Sequence, residues 1–301
     1  MVVAYFNFGA LKPNGDDHFF SNSAPWFDSL RFAFTNFSLA RVDLVAKKIL
    51  VIVAVFSFTL LNPQPLSFES TNLSVVWNVG QGQWFTRIEN LRCLHFDAGG
   101  EVSAIQQVTK LCNFKKNFLF LSHWDWDHLS FVGALFRRLP NLCLFDLPAG
   151  EASAVKKRII QSLPRCESTP REIVVLDRPN NYVAQLPARQ AKRLRIIAND
   201  FSQVFAYNDW LIPGDSPVKN ERRWAQRVPK KIRILLLGHH GSRTSTSQDL
   251  LRHLPNVFVA ISSSRFKRYG HPHKEIRRRL NDADITLLRT EDWGSLAFAD
   301  F

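Results

Sequence analysis

At 301 residues, 46% of them hydrophobic and 22% charged, the chain has the composition of an ordinary globular protein, which excludes the disordered and fibrous classes. Its length accommodates one large domain or two modest ones, with a sizeable core either way. A formal net charge of +13 attracts polyanions, so nucleic acid, acidic lipid surfaces and anionic wall polymers are the partner classes to weigh against a soluble enzyme that is simply basic.

In chain order, residues 1–43 are rich in Phe, Asn and Ser and show little periodicity. They lead into AKKILVIVAVFSFTLLNPQP, where Lys47 and Lys48 precede an apolar run from Ile49 to Leu61, and Pro63 and Pro65 end it. Charge, apolar run and helix-breaking exit are the layout of a secretory signal or membrane anchor over residues 47–61. The run is shorter than the roughly 18 residues of a spanning helix, and no A-x-A cleavage site follows. A signal is expected at an N-terminus. Its position here therefore predicts a true start downstream of Met1, at Val42, Leu44 or Val45 through a non-ATG codon. A buried strand or helix of a small N-terminal subdomain is the alternative. The expected organisation is an N-terminal segment over 1–69 and a second domain over 70–301. The protein is expected to be exported, periplasmic or anchored to the outer face of the cytoplasmic membrane.

From Leu73 onward the chain reads as strands in bulk. LSVVWNVG, WFTRIEN and RCLHFDAGG are successive strands, EVSAIQQVTKLC has helical spacing, NFLFL is a strand, SHWDWDH a loop and LSFVGALFRRL a helix. GEASAVKKRIIQSL is helical, and REIVVLD, RLRIIAND, SQVFAYND, WLIPGD, KIRILLLGHHG and NVFVAIS continue the strands. STSQDLLRHL and HKEIRRRLNDA are helices, and ITLLRT and GSLAFA are closing strands. Helices interrupt the strands without strict βαβ alternation, which predicts an α+β layered sandwich. Cys93, Cys112, Cys143 and Cys166 show no C-x-x-C spacing and read as buried free thiols, with one or two disulfides the alternative in an exported protein.

The chemistry concentrates in FLFLSHWDWDHLSF, residues 118–131, where His123, Asp125, Asp127 and His128 stand directly behind a buried strand. Imidazole nitrogen and carboxylate oxygen are ligands for divalent cations, ordinarily three or four per ion. In an extended loop His123, Asp125 and Asp127 point to one side, and His128 faces elsewhere, toward a second ion. The competing reading has Asp125 and Asp127 capping the following helix. Further candidates close other strands: Asp97 in HFDAGG, Asp215 in WLIPGD, and His239 and His240 in ILLLGHHGS. Ligands at several strand ends are how a metal site is built on a sheet. Between Arg265 and Leu280, Arg265, Lys267, Arg268, Lys274, Arg277, Arg278 and Arg279 oppose only Glu275, and a second basic stretch runs from Lys219 to Arg233. Flanking the site, both fit a phosphate-backbone track, or else a solvated helix face. Trp124, Trp126 and Phe266 are candidates to stack bases, although tryptophans in a tight loop are more often core.

NVGQG, HFDAGG, the 118–131 loop, NDFSQVF, LIPGD, ILLLGHHGSRTSTSQDLL, VFVAISSS, RYGHPHKEI and ITLLRTEDWGSLAF follow the order found in the metallo-β-lactamase superfamily. Over about residues 71–301 the chain resembles that superfamily, and most of all the metallo-β-lactamase domain of the ComEC branch, whose members take up transforming DNA. The resemblance implies a four-layer αββα sandwich with two divalent metal ions, manganese or zinc. It implies that His123 and Asp125 hold one ion and Asp127 and His128 the other, with Asp215 bridging and His240 completing a site. His239 is implied to contact the scissile phosphate or act as acid, with Asp127 in the catalytic set, His271 reaching substrate from the far side, and Ser242, Arg277 and Arg278 binding substrate. Some positions depart from the pattern. Asp125 replaces a common histidine, which favours manganese over zinc. Gln83 stands where an aspartate is usual, so an outer carboxylate is expected to be missing. The extra histidine of lactamases between the loop and Asp215 is not found, nor are the membrane helices of ComEC.

The expected function is a metal-dependent phosphodiesterase, a nuclease acting on DNA. The alternatives are an exported hydrolase of another phosphoester, such as an anionic wall polymer, and a non-catalytic DNA-binding module. The intact ligand set argues against the last.

Overall fold

The structure, a computed structural model, describes residues 3–5, 72–179 and 198–299. The signal- or anchor-like run at 47–61, the linker after it and the proposed downstream start lie outside the described residues. Among the described residues no helix is long and apolar enough to cross a membrane.

The first half of the domain comprises β1 (Val3–Tyr5), β2 (Leu73–Val76), β3 (Phe85–Ile88), β4 (Arg92–Phe96), α1 (Ile105–Cys112), β5 (Lys116–Phe120), α2 (Trp126–Leu129), α3 (Val132–Arg138), β6 (Leu142–Leu144) and α4 (Ala154–Gln161). The second half comprises β7 (Ile173–Asp177), β8 (Val204–Tyr207), β9 (Trp210–Ile212), α5 (Val218–Trp224), β10 (Ile234–Leu236), α6 (Gln248–Arg252), β11 (Val259–Ser262), α7 (Phe266–Tyr269), α8 (Lys274–Asp282), β12 (Thr286–Arg289), α9 (Thr290–Trp293) and β13 (Leu296–Ala299). One sheet has the order β1-β13-β2-β3-β4-β5-β6 and the other β12-β11-β10-β9-β8-β7. Strands β4, β5 and β6 are parallel, as are β9 to β12, and the remaining pairs are antiparallel.

Three apolar layers hold the sandwich together. Phe85, Phe96 and Phe120 of the first sheet meet Phe205, Trp210 and Ile261 of the second in the central layer. Strand residues with the opposite parity, such as Val75 and Leu119, pack on Val108, Val132, Leu135 and Ile160 of α1, α3 and α4. Leu211, Leu235 and Ala260 do the same against Trp224, Leu250, Ile276 and Leu280 of α5, α6 and α8. The result is the expected αββα sandwich. Local capping supports it: Ser247 Oγ accepts from Leu250 N at 3.0 Å and starts α6.

The cysteines depart from the free-thiol expectation. Cys93 of β4 is bonded to Cys112 at the end of α1, and Cys143 of β6 to Cys166. Partners 19 and 23 residues apart leave no local signature. The β4–α1–β5 crossover is what brings the first pair together. Beta-strand β6 and the short helices α5, α7 and α9 were also not anticipated. Of the strand expected at RLRIIAND, residues Ala198–Phe201 form a 3-10 turn and the rest lies outside the described residues.

Candidate metal centre

Each candidate ligand follows the C-terminal end of a strand: Asp97 after β4, His123 after β5, Asp215 after β9, and His239 and His240 after β10. The two sheets deliver these ends to one edge of the sandwich, a crevice of the kind in which such folds bind ligands.

The 123–128 segment is not the uniformly extended loop expected. Asp125 has extended backbone (φ −75°, ψ 147°) and precedes α2, which carries Asp127 and His128 on a helical turn. Asp125 offers no side-chain cap bond. Neither does His128 face elsewhere: its Nε2 lies 3.3 Å from His240 Nε2 and 3.0 Å from Asp215 Oδ1. The loop before β3 and the turn after β4 press directly on this helix. Gln83 N donates to Asp127 O (2.9 Å) and Ala98 N to His128 O (2.8 Å). A Cβ on Gly99 would stand 2.5 Å from the backbone of Asp127 and His128, so only glycine permits the approach.

Among the described residues, two groups of side chains offer ligand atoms lying within 4.8 Å of one another: His123, His128 and Asp215, and Asp127, His128 and His240. His240 Nε2 is 3.1 Å from Asp127 Oδ2 and 3.8 Å from Asp215 Oδ1, and His123 Nε2 is 3.8 Å from Asp215 Oδ2. Asp215 therefore touches both groups, as a bridging carboxylate must, but His128 is shared as well. Of the expected pairs, Asp127 and His128 do share a group, with His240, whereas His123 is grouped with His128 and Asp215 rather than with Asp125. Asp125 stands at the margin, 3.5 Å from His123 Nε2 and 3.9 Å from Lys156 Nζ, and belongs to neither compact group.

Outer hydrogen bonds decide which ring nitrogens carry lone pairs. Asp97 Oδ2 accepts from His128 Nδ1 (2.7 Å), Ser122 Oγ (2.8 Å) and Gln83 Nε2 (2.8 Å). Ser122 spends its single proton on Asp97, so it accepts from His123 Nδ1 at 2.9 Å. His123 thereby turns an unprotonated Nε2 inward, while His128 directs its Nε2 at Asp215 Oδ1, 3.0 Å away. The outer carboxylate expected to be missing at Gln83 is supplied by Asp97, and Gln83 holds it.

The residues fit divalent cations. His123 Nε2 is buried with no hydrogen-bond partner. Ligand-atom separations of 3.0 to 3.8 Å bracket the roughly 3.3 Å between two ligands of a tetrahedral ion bound at about 2.0–2.1 Å. The charge pattern demands cations too. Burial would raise the Asp215 carboxyl, yet the facing His128 and His240 hold it well below the usual range. Asp127 is likewise held low: burial opposes, and the His240 hydrogen bond with the charges of His128 and His240 outweighs it. Burial pushes the His128 imidazole down, but Asp215 and Asp97 lift it well above its ordinary value. A metal ion can replace that proton.

His239 and His240 both adopt left-handed backbone, at φ 50° and 57°. Side chains with a Cβ rarely do so, and such strain collects at functional sites. Bonds from His239 N to Gly214 O (3.0 Å) and from Ser262 Oγ to His240 O (2.8 Å) hold the turn in place. The consequence separates two residues the sequence left ambiguous. His240 is buried among the ligands, while His239 stands at the mouth with Nε2 3.5 Å from Asp215 Oδ2 and Nδ1 3.1 Å from Thr244 Oγ1. The His271 ring is 6.1 Å from that of His239, with its Nδ1 3.4 Å from Gln81 Nε2. Burial, then the charges of His240 and His239, push the His271 imidazole down to about 4. Ser242 is buried, with Oγ 3.0 Å from Thr244 Oγ1.

The basic stretches divide. Arg277 and Arg278 lie on the exposed face of α8, Arg277 over the Phe266 ring at 5.3 Å. Arg279 instead donates to Ser245 O and Thr246 O (3.3 and 2.9 Å) and is structural. The Lys219–Arg233 stretch also divides: it begins beside the site, at the start of α5 just after Asp215, where Val218 N donates to Thr244 O (2.8 Å), and ends far from it. Lys219 and Arg223 pair with Asp200 and Asp177, and Lys230, Lys231 and Arg233 precede β10, at the end of that strand away from His239. Trp124 is core, and Trp126 is half-exposed under Lys156 Nζ at 5.4 Å. Sequence reasoning overlooked Asn199, whose Nδ2 donates to Asp215 Oδ2 (3.3 Å) and lies 3.4 Å from His239 Nδ1. The only hint was its place in a motif just ahead of β8.

An αββα sandwich with His and Asp side chains converging from the strand ends of both sheets decides the architecture. This is the arrangement that a resemblance to the metallo-β-lactamase superfamily implies. No family model matches the chain. It is 27% identical over 236 residues to Recombination protein 2 of Haemophilus influenzae, covering 76% of this chain and 29% of that protein. It is 26% identical over 234 residues to Competence protein ComA of Neisseria gonorrhoeae, covering 74% and 31%, and 31% identical over 90 residues to ComE operon protein 3 of Bacillus subtilis, covering 30% and 12%. The chain thus matches less than a third of the length of these curated relatives. Those competence-protein names agree with the ComEC-like motifs. Solved structures similar to it include the metallo-beta-lactamase fold protein YhfI from Bacillus subtilis (9% identity, TM-score 0.48, 76% of this chain and 100% of that one). Another is a diphosphatase from the PhnP family (13% identity, TM-score 0.42, 75% and 97%).

Proposed function

We propose that this domain is a metal-dependent phosphodiesterase whose substrate is DNA, working outside the cytoplasmic membrane. The observation that carries the reading is the convergence of His123, Asp127, His128, Asp215 and His240 on one crevice, with the Nε2 atoms of all three imidazoles turned toward the carboxylates. Two divalent ions in such a crevice supply polarisation of a phosphoryl oxygen and hydroxide at neutral pH. His123, His128, Asp127, Asp215 and His240 would hold them, with Asp125 as an added oxygen ligand. Asp97 and Ser122 orient the imidazoles. His239, at the mouth with its Nε2 3.5 Å from Asp215 Oδ2, would contact the phosphate or, in its protonated form, pass a proton to the leaving oxygen. His271 faces it from the loop between α7 and α8, and Ser242 lies in the turn that follows His240.

Substrate class rests on charge. Arg243, Lys267, Lys274, Arg277 and Arg278 are exposed and form no ion pair among the described residues, which suits contact with a phosphate backbone. An anionic wall polymer is the second reading, because it would meet the same cations. The two disulfides favour an oxidising compartment and so an exported protein.

The test is hydrolysis of labelled single- and double-stranded DNA, a wall polymer and bis-p-nitrophenyl phosphate with manganese or zinc, using the wild type and Asp127→Ala. The variant is expected to lose metal-dependent turnover while melting cooperatively. Undiminished turnover in the variant would return Asp127 to a merely structural role, and the absence of metal-dependent turnover in the wild type would remove the enzyme reading.

A further inference from the structure

The edge of the sandwich opposite the metal centre carries a different chemistry. Strands β2, β4 and β5 point the same way, so the starts of β2 and β5 and the β3–β4 turn share that edge. The turn at 89–91 and the turn at 113–115 are tied together. Lys116 N donates to Leu91 O (2.9 Å), and Lys115 Nζ donates to Glu89 O and Asn90 O (2.6 Å each). At their tips Leu91 is 82% exposed and Phe114 97% exposed. Phe114 also has φ +65°, a conformation that bulky side chains avoid. Neither packing nor backbone preference accounts for an aromatic ring there.

Cations surround these tips. Lys116 is exposed beside them, and the Arg92–Glu172 ion pair (3.1 Å) brings the start of β7, with exposed Arg171, to the same edge. Lys230, Lys231 and Arg233, ahead of β10, are exposed on the second sheet's share of it. Of the carboxylates there, Glu89 is bonded by Arg92 and Tyr207 and Glu172 by Arg92; Asp209 before β9, beside Arg233, and Asp282 and Asp284 after α8 are the other opposing charges. The chain also enters the domain on this edge. Asn72 precedes β2, and only residues 62–71 separate it from the apolar run Ile49–Leu61.

We propose that this edge docks on an anionic lipid bilayer, with Leu91 and Phe114 inserting at headgroup level and the surrounding Lys and Arg pairing lipid phosphates. Aromatic tips flanked by lysines partition to that depth. One weak anchor binds membranes only marginally, so the contact made by this edge is reversible. The metal centre then faces away from the lipid by about the length of a five-residue strand, roughly 16 Å. The proposal stands independently of the chemistry at that centre.

The test uses the full chain with vesicles of phosphatidylglycerol and phosphatidylcholine, or of phosphatidylcholine alone, read by co-sedimentation. Wild type should bind the anionic vesicles more tightly. Leu91→Ser combined with Phe114→Asn should weaken that binding about ten-fold or more. Asparagine tolerates positive φ, so melting should be unchanged or improved. Phe114→Trp supplies a local probe: emission beyond that of wild type should be quenched by brominated lipid. Binding of the double variant equal to wild type, or an added tryptophan that brominated lipid leaves unquenched, would overturn the proposal in favour of residues 49–61 alone. A wild-type dimer that becomes monomeric in Phe114→Asn, with vesicle binding unaltered, would overturn it in favour of a second copy of this chain.

Discussion

The Nε2 atoms of His128 and His240 lie 3.3 Å apart, one carried by α2 behind β5 and the other by the turn after β10. Nothing local requires two imidazoles from different sheets to meet tip to tip. Asp97 takes the Nδ1 proton of His128 at 2.7 Å and so sets that ring's orientation.

Asp97→Asn removes this acceptor without emptying the space. A lost outer partner of a metal-bound histidine typically costs about 10- to 100-fold in affinity. Manganese or zinc affinity, measured by chelator competition, should fall by that factor. Unchanged affinity would mean that His128 needs no orienting partner, and that its contact with His240 has another cause.

Asp125 decides metal preference if its carboxylate joins His123. An oxygen ligand hardens the site, so wild type should turn over faster with manganese than with zinc, and Asp125→His should move the balance toward zinc. Identical preferences in the two proteins would leave Asp125 at the rim, where its pairing with Lys156 already places it.

Three neighbouring arginines should behave in two ways. Neutralising Arg277 and Arg278 should weaken DNA binding and flatten its salt dependence, with turnover of bis-p-nitrophenyl phosphate barely changed. Binding to a wall polymer at matched salt gives the comparison between substrate classes. Arg279→Ala should instead lower stability by about 1–3 kcal/mol, since it strips a charged donor from two backbone carbonyls. Denaturant melts separate these outcomes. A stable Arg279→Ala that loses only DNA binding would assign all three to the substrate track.

Acid should weaken the fold through His95. This ring is fully buried in a directed chain: Trp77 Nε1 donates to Thr86 Oγ1 (2.9 Å), Thr86 Oγ1 to His95 Nδ1 (3.1 Å), and His95 Nε2 to Asn117 Oδ1 (3.1 Å). Burial pushes its pKa down to about 4, against the Asn117 hydrogen bond. The unfolded chain takes up this proton near pH 6.5 and the folded one only near 4. Its stability contribution is therefore complete above pH 6.5 and lost as the pH falls toward 4, about 3 kcal/mol in all. Urea melts between pH 7 and 5 should show a shallower decline in His95→Gln than in wild type. Parallel declines would exclude His95 as the source.

How much the sequence disclosed follows from range. The α+β class was legible because apolar runs and their periodicity are local. His123, Asp125, Asp127 and His128 were legible because six consecutive residues carry them, and Asp215, His239 and His240 because each ends an apolar run. Chain order alone could not say that His128 rather than Asp125 sits at the centre, since a helical turn beginning at Trp126 rotates it there. Nor could it choose between His239 and His240, which share one environment in sequence and differ only through two successive left-handed residues. Strand order and parallel crossovers join Cys93 to Cys112 and bring Asp97 and Asn199 to the ligands. They also send Arg279 inward, and they carry Lys230, Lys231 and Arg233 to the edge far from the metal centre. Those placements depend on contacts between residues tens to hundreds of positions apart, which no window of local pattern contains.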